Sequence, residues 1–352
     1  MNLPRVYLTT TLSKAYWLRI DGYIGHYNEG MERIVTYSPA YTLVPTYECF
    51  NRCTYCNFRR NPGEDEWMDL ETARTILTGL QGQNVIEILI LSGEVHPESV
   101  RRQQWFERIY QLCELALEMG FLPHTNVGPL SDEEMAQLKQ VNVSMGLMLE
   151  QVTPELLKTV HAYAPSKLPE VRLAQLALAG RLKIPFTTGI LLGLGETVED
   201  WEESLRAIAH LHKTYGHIQE VILQPHQPGR SQSKQRPPCH GKTLLQAVQI
   251  AREILPADIA IQIPPNLIRS DAALLDCIAA GAQDLGGIGP IDEVNPDYSH
   301  RRPDATESLL KTQGRALQRR LPVYERYDDW LPERLQAIVK KWRSPESGAL
   351  RL

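Results

Sequence analysis

The sequence has no surplus of positive charge, no long apolar run and no evident internal repeat or low-complexity segment. Each absence excludes something. A net charge of -5 over 352 residues argues against a nucleic-acid partner, which selects clustered Lys and Arg. No apolar stretch approaches the roughly 20 residues that a membrane helix needs. The first ten residues lack the apolar core of a signal peptide. These features predict a cytoplasmic protein with no nucleic-acid or membrane partner, in a compartment where thiols stay reduced. Nucleotide motifs also fall short. Gly193-Leu194-Gly195 opens a G-x-G-x-x-G pattern, but position 198 is Val198. His240-Gly241-Lys242-Thr243 echoes a phosphate loop, but Arg236 stands where its first glycine is required.

What is present is a cysteine triplet, Cys49-Phe-Asn-Arg-Cys53-Thr-Tyr55-Cys56. The spacing C-x3-C-x2-C puts three thiols on one short loop. A structural zinc site closes its tetrahedron with four ligands, and a [4Fe-4S] cluster ordinarily takes four cysteines. Three ligands leave one iron free to bind a small molecule. No fourth zinc ligand lies nearby in sequence, and His210, His212 and His217 have no accompanying cysteine pair, so they read as helix-face and strand-edge residues. Cys113 and Cys277 lie in helical apolar patterns and read as core residues. Cys239 lies in a Pro-rich loop and receives no assignment.

Short apolar runs alternate with amphipathic stretches, the pattern of βα units around a parallel sheet. Strands are predicted at 41–47, 86–91, 121–125, 143–149, 186–192, 218–223, 260–263 and 284–288. Helices are predicted at 70–80, 100–119, 131–139, 169–181, 197–214, 243–255 and 271–280. Ser131-Asp-Glu-Glu134 is a capping box for the third of these. Eight strands in this order predict an α/β fold, a (β/α)8 TIM-type barrel that is complete or partly open. The barrel is expected at 41–300, after an N-terminal extension at 1–40 and before a helical C-terminal extension at 301–352. Chemistry in such barrels sits at the C-terminal ends of the strands. Cys49, Glu94, His124, Asn126, Glu150, Gly193, Glu196, Gln224 and His226 all follow or close predicted strands, so they are expected to face one cavity.

The cysteine loop after strand one, with an aromatic residue before its third thiol, resembles the radical S-adenosylmethionine (SAM) superfamily. Ser92-Gly93-Glu94 resembles that superfamily's Gly-Gly-Glu motif with serine at the first position. The segment from Gly189 to Glu196 resembles its glycine-containing, adenine-contacting motif. Pro123-His-Thr-Asn126, Ser144-Met-Gly-Leu-Met-Leu-Glu150, Pro185-Phe-Thr-Thr-Gly-Ile-Leu and the stretch from His212 to Val221 narrow the resemblance to subunit 1 of the deazaflavin (FO) synthase family. The match runs from about residue 41 to beyond 290. It departs from the family after strand six, where Gln224-Pro225-His226 replaces the expected Gln-Asn-Phe.

The resemblance implies that Cys49, Cys53 and Cys56 hold three irons of a [4Fe-4S] cluster and that SAM binds the fourth. Glu94 would receive the SAM amine, a charge-assisted hydrogen bond. Glu150 would serve the ribose or amine region and Arg172 the carboxylate. Tyr55, Gly193 and Glu196 complete the expected cofactor contacts. His124, Asn126, Gln224 and His226 are the substrate candidates, by strand-end position alone. The implied reaction is radical closure of a deazaflavin ring on a 4-hydroxybenzyl–ribitylaminouracil adduct, with loss of ammonia. FO synthase subunit 2 would supply the adduct from tyrosine, and an external donor such as a ferredoxin or flavodoxin would supply the electron. The competing readings are another radical SAM enzyme, such as the tyrosine-using partner subunit, and a non-enzymatic iron–sulfur electron carrier.

Overall fold

The computed structural model describes residues 33–344 and, ahead of them, an antiparallel hairpin of β1 (Ala15–Ile20) and β2 (Tyr23–Asn28). Eight parallel strands follow: β3 (Arg33–Leu43), β4 (Glu87–Leu91), β5 (Leu122–Asn126), β6 (Ser144–Gly146), β7 (Phe186–Leu192), β8 (Ile218–Pro225), β9 (Ala260–Gln262) and β10 (Asp284–Ile288). Pairing of β10 with β3 closes the barrel. Between the strands lie α1 (Leu70–Leu80), α2 (Arg102–Glu118), α3 (Asp132–Leu138), α4 (Pro169–Arg181), α5 (Val198–Tyr215), α6 (Gly241–Ile254) and α7 (Asp271–Ala279). The closed (β/α)8 barrel is the architecture expected from the alternation of apolar runs.

Local chemistry places the helices. Asp69 caps α1 by accepting from Thr72 N at 2.7 Å. Ser131 and Glu134 form the reciprocal box at the start of α3, and Thr197 with Asp200 does the same for α5. Gly216, at φ 69°, takes the left-handed position that ends α5. Burial on both faces, as parallel sheets favour, is complete in β7, all seven of whose residues are buried.

Two expectations change. The first barrel strand begins at Arg33 and ends at Leu43, not at 41–47. It therefore starts inside the segment expected as an N-terminal extension. Pro39 disguised it, because proline removes a ladder donor. Here Pro39 sits where the strand changes partner: residues 33–37 pair with a later strand, and residues 40–43 pair with β4.

The C-terminal segment is not wholly helical. After α8 (Pro303–Lys311), β11 (Arg315–Arg319) pairs in parallel with the first half of β3. The chain then crosses the N-terminal end of the barrel before α9 (Glu333–Trp342). Arg320 enters the interior and bonds Asp284 at 2.6 and 2.8 Å, with Glu220 Oε1 2.6 Å from its Nη2. Arg334 clamps this segment outside by two-pronged contact with Glu114 of α2.

Candidate active site

Inside the barrel is a cavity of about 350 Å³, walled by the cysteine loop at one end and by Arg320 and Pro322 at the other. Cys49, Cys53 and Cys56 all line it, and none forms a disulfide. Among the described residues, no three His, Cys, Asp or Glu side chains are drawn together to hold a single metal ion. A cluster makes a different demand, since each thiolate takes its own iron.

The donor set suits such a cluster. Phe58 N–H donates to Cys56 Sγ at 3.4 Å, and the Asn51 amide lies 3.7 Å from Cys49 Sγ. Burial, then the charge of Glu94, pushes the Cys49 thiol up to about 11. Burial pushes Cys53 up to about 12, against the opposing pull of Lys167. Thiols so placed ionise at neutral pH only when a metal takes the proton's place. Tyr55, between the last two thiols, bonds His161 Nε2 at 3.0 Å and lines the same cavity.

Two carboxylates face the thiols. Gly93 seats the first. Its backbone packs on the Glu48 carbonyl so closely that a Cβ would lie 2.0 Å from that oxygen. Ser92 fits the first motif position because its hydroxyl accepts from Trp105 Nε1 at 2.9 Å. Glu94 then takes Arg172 Nη2 at 2.9 Å and Asn51 Nδ2 at 3.0 Å. The second carboxylate, Glu150, sits at φ 70°, just past β6, and pairs with Lys167. Burial opposes its ionisation, yet Lys167 and Arg172 hold the carboxyl below the usual range.

Most expected site residues do meet here. Tyr55, Glu94, His124, Asn126, Glu150, Arg172 and Gln224 line the cavity. Three do not. Glu196 spends its carboxylate on Gly193 N at 2.5 Å, Leu194 N at 2.7 Å and Trp201 Nε1 at 3.0 Å, closing its own turn before α5. Gly193, at φ 90°, packs against Cys239 in that turn. His226 is turned into the following loop, toward Pro237 O and Gln232. Arg172 also has several partners within the protein. Its guanidinium is taken up by Glu94, the Ser166 carbonyl and hydroxyl, and the Met148 carbonyl.

Sequence reasoning missed Asn51, Lys167, Glu220 and Arg320. Asn51 lay inside the motif and was readable as a polar residue two positions after a thiol. Lys167 lies in a single-turn helix at Pro165–Lys167, with no periodicity to flag it.

The comparisons with known proteins follow the same line. Residues 43–208 match the profile of the radical SAM superfamily. The chain is 62% identical over 310 residues to a Trichormus variabilis protein named 7,8-didemethyl-8-hydroxy-5-deazariboflavin synthase, covering 88% of this chain and 91% of that one. It is 55% identical over 313 residues to a Gloeobacter violaceus protein of the same name, covering 89% and 97%. Among solved structures, the hydrogenase maturase HydG superposes with a TM-score of 0.68 at 16% identity, covering 88% of this chain and 69% of that one. Methylornithine synthase superposes with a TM-score of 0.62 at 15% identity, covering 82% and 84%. These two show the shared barrel alone.

Proposed function

The chain belongs to the radical SAM superfamily and, within it, to the 7,8-didemethyl-8-hydroxy-5-deazariboflavin synthases, and from that membership we propose a specific reaction. The substrate is 5-amino-5-(4-hydroxybenzyl)-6-(D-ribitylimino)-5,6-dihydrouracil, and the enzyme closes its ring to the deazaflavin with loss of ammonia and two hydrogens, SAM being the oxidant consumed and leaving as methionine and 5'-deoxyadenosine. It is thus a carbon–nitrogen lyase, subunit 1 of a two-protein synthase. Members of the superfamily use a [4Fe-4S] cluster and SAM, which together supply a 5'-deoxyadenosyl radical.

The chain's own residues do the holding and orienting. Cys49, Cys53 and Cys56 are the cluster ligands. Glu94 offers a carboxylate to the SAM amine, and its direction is set by Arg172 and Asn51. Arg172 therefore acts as an orienting residue as much as a partner for the SAM carboxylate. Glu150, held by Lys167, serves the ribose or amine region. His124, Asn126 and Gln224 face the rest of the cavity and contact the substrate. Subunit 2 delivers the adduct, and a ferredoxin or flavodoxin delivers the electron.

One observation carries this reading: three free thiols and two cation-paired carboxylates open onto one cavity in a chain 62% identical to a protein of that name. The test is anaerobic reconstitution with iron, sulfide, SAM, reductant and the adduct. A fluorescent deazaflavin of the expected mass supports the reading. Failure to form either product or 5'-deoxyadenosine sinks it. 5'-Deoxyadenosine released from SAM when tyrosine and the ribitylaminouracil replace the adduct reassigns the chain to the partner subunit.

A further inference from the structure

His124 on β5 and Ser144 on β6 are register partners, and their side chains meet with His124 Nδ1 2.7 Å from Ser144 Oγ. Ser144 Oγ in turn donates to the Pro322 carbonyl at 2.6 Å. A carbonyl can only accept, so the one hydroxyl proton is committed to Pro322. His124 Nδ1 must then carry the imidazole proton and donate it to Ser144. In a neutral ring that leaves Nε2 as the nitrogen with the lone pair. Burial, then the charge of Arg320, holds the ring neutral by pushing it down to about 3.

Nε2 has no hydrogen-bond partner among the described residues, although His124 is only 8% exposed and lines the cavity. Gly146 stands two residues beyond Ser144, on the same face of β6. A Cβ at Gly146 would lie 2.9 Å from Nε2. One strand therefore does two things to one ring. Ser144 fixes the protonated end, and Gly146 leaves the unprotonated end uncovered. Pro322 itself is held by Gln219 Nε2 at 2.9 Å, and the Gln219 amide oxygen accepts from Tyr324 N at 3.4 Å.

We infer that His124 is a substrate-positioning hydrogen-bond acceptor, locked as the Nδ1–H tautomer by Ser144 and Pro322, whose Nε2 receives a neutral O–H or N–H group of the substrate. The proposed reaction enters only in naming that substrate, whose phenol and amine offer such groups. An anionic group would meet a lone pair and be repelled. The C-terminal segment thereby reaches the substrate through two hydrogen bonds.

The experiment has two arms. The first is nitrogen-15 NMR of the full-length chain with labelled histidine, with H124Q assigning the signal. His124 should show protonated Nδ1 and bare Nε2 at neutral pH. S144A should give a mixture of tautomers, and S144T, which keeps the hydroxyl, should restore the single form. The second arm is steady-state kinetics with the adduct. G146A should raise KM about tenfold, the worth of one hydrogen bond to substrate, and S144A by a smaller factor, the inverse of the fraction of ring left in the Nδ1–H form, each with a much smaller change in kcat; S144T should recover the KM. Protonated Nε2 in the unaltered protein overturns the inference, as does an S144A variant with unaltered tautomer and KM. Should the unaltered protein make no deazaflavin, the reaction reading falls, and the tautomer spectrum still decides the state of His124.

Discussion

Arg172 and Glu94 are 78 residues apart in sequence and meet at 2.9 Å beside the cysteine loop. The arginine side chain is 2% exposed and the glutamate 12%. The pair is both an electrostatic unit and a ruler for the thiols, because Asn51 ties the same carboxylate to the loop. Removing one partner of a buried pair leaves a charge without compensation. R172M should cost about 3 kcal/mol of stability, read by thermal denaturation. E94Q keeps the volume but removes the charge proposed to receive the SAM amine. It should weaken SAM binding at least about tenfold, the scale of a charge-assisted hydrogen bond, read by equilibrium dialysis.

The six cysteines divide into two groups. Alanine at Cys49, Cys53 or Cys56 should abolish the cluster absorbance and reduce product below detection, with far-ultraviolet dichroism unchanged. Cys113 instead contacts Thr125 Oγ1 and Asn142 Oδ1 in the core. C113A should retain full iron content and lose about 1–2 kcal/mol from the cavity and the missing contacts. Iron analysis alongside thermal denaturation separates the two groups.

Gly93 has no unusual backbone angle; its constraint is space. With the Glu48 carbonyl oxygen 2.0 Å from any Cβ, G93A must push two chain segments apart. The expected loss is about 1–3 kcal/mol, and SAM affinity should fall with it because Glu94 moves. S92G, the substitution toward the superfamily's usual glycine, should cost only about 1 kcal/mol. Trp105 Nε1 keeps a second acceptor in Gly93 O at 3.1 Å.

The barrel floor makes stability depend on pH. Glu87, Glu220 and Asp284 share one guanidinium, Arg320. Burial raises the Glu220 carboxyl to about 7, outweighing the attraction of Arg320, and Asp284 adds to the rise. The folded protein thus keeps this proton up to about pH 7, whereas the unfolded chain releases it near 4.5. Between those values the folded state binds more protons, so this group's contribution to stability falls as pH rises. E220Q should flatten that part of the curve, measured as melting temperature across the same range. An unchanged slope would mean that another group is responsible.

The sequence carried the cysteine loop, the capping box at Ser131 and most strand positions, because each rests on residues close together in the chain. It misplaced what depends on distant partners. The first strand reads as broken at Pro39 until β11 and β4 are seen to divide its edge. Glu196 reads as a cofactor contact because it follows a strand and ends the segment that resembles the adenine-contacting motif, but the same position suits a carboxylate that accepts from the N–H groups of its own turn. Lys167 and Arg320 carry no local signal at all. Each acquires meaning only from an acid brought to it by the fold, at positions 150 and 284.

The placement of Arg320 and Pro322 sets an order of events. Both follow all eight barrel strands in the chain, yet they fill the middle of the barrel's N-terminal end. Synthesis proceeds from the N-terminus, so the ring of strands is made before the stopper that finishes it. Until residues 315–324 arrive, Asp284 and Glu220 lack their guanidinium and His124 lacks a defined tautomer. A nascent barrel in this protein is therefore a vessel without a base until residues 315–324 are added.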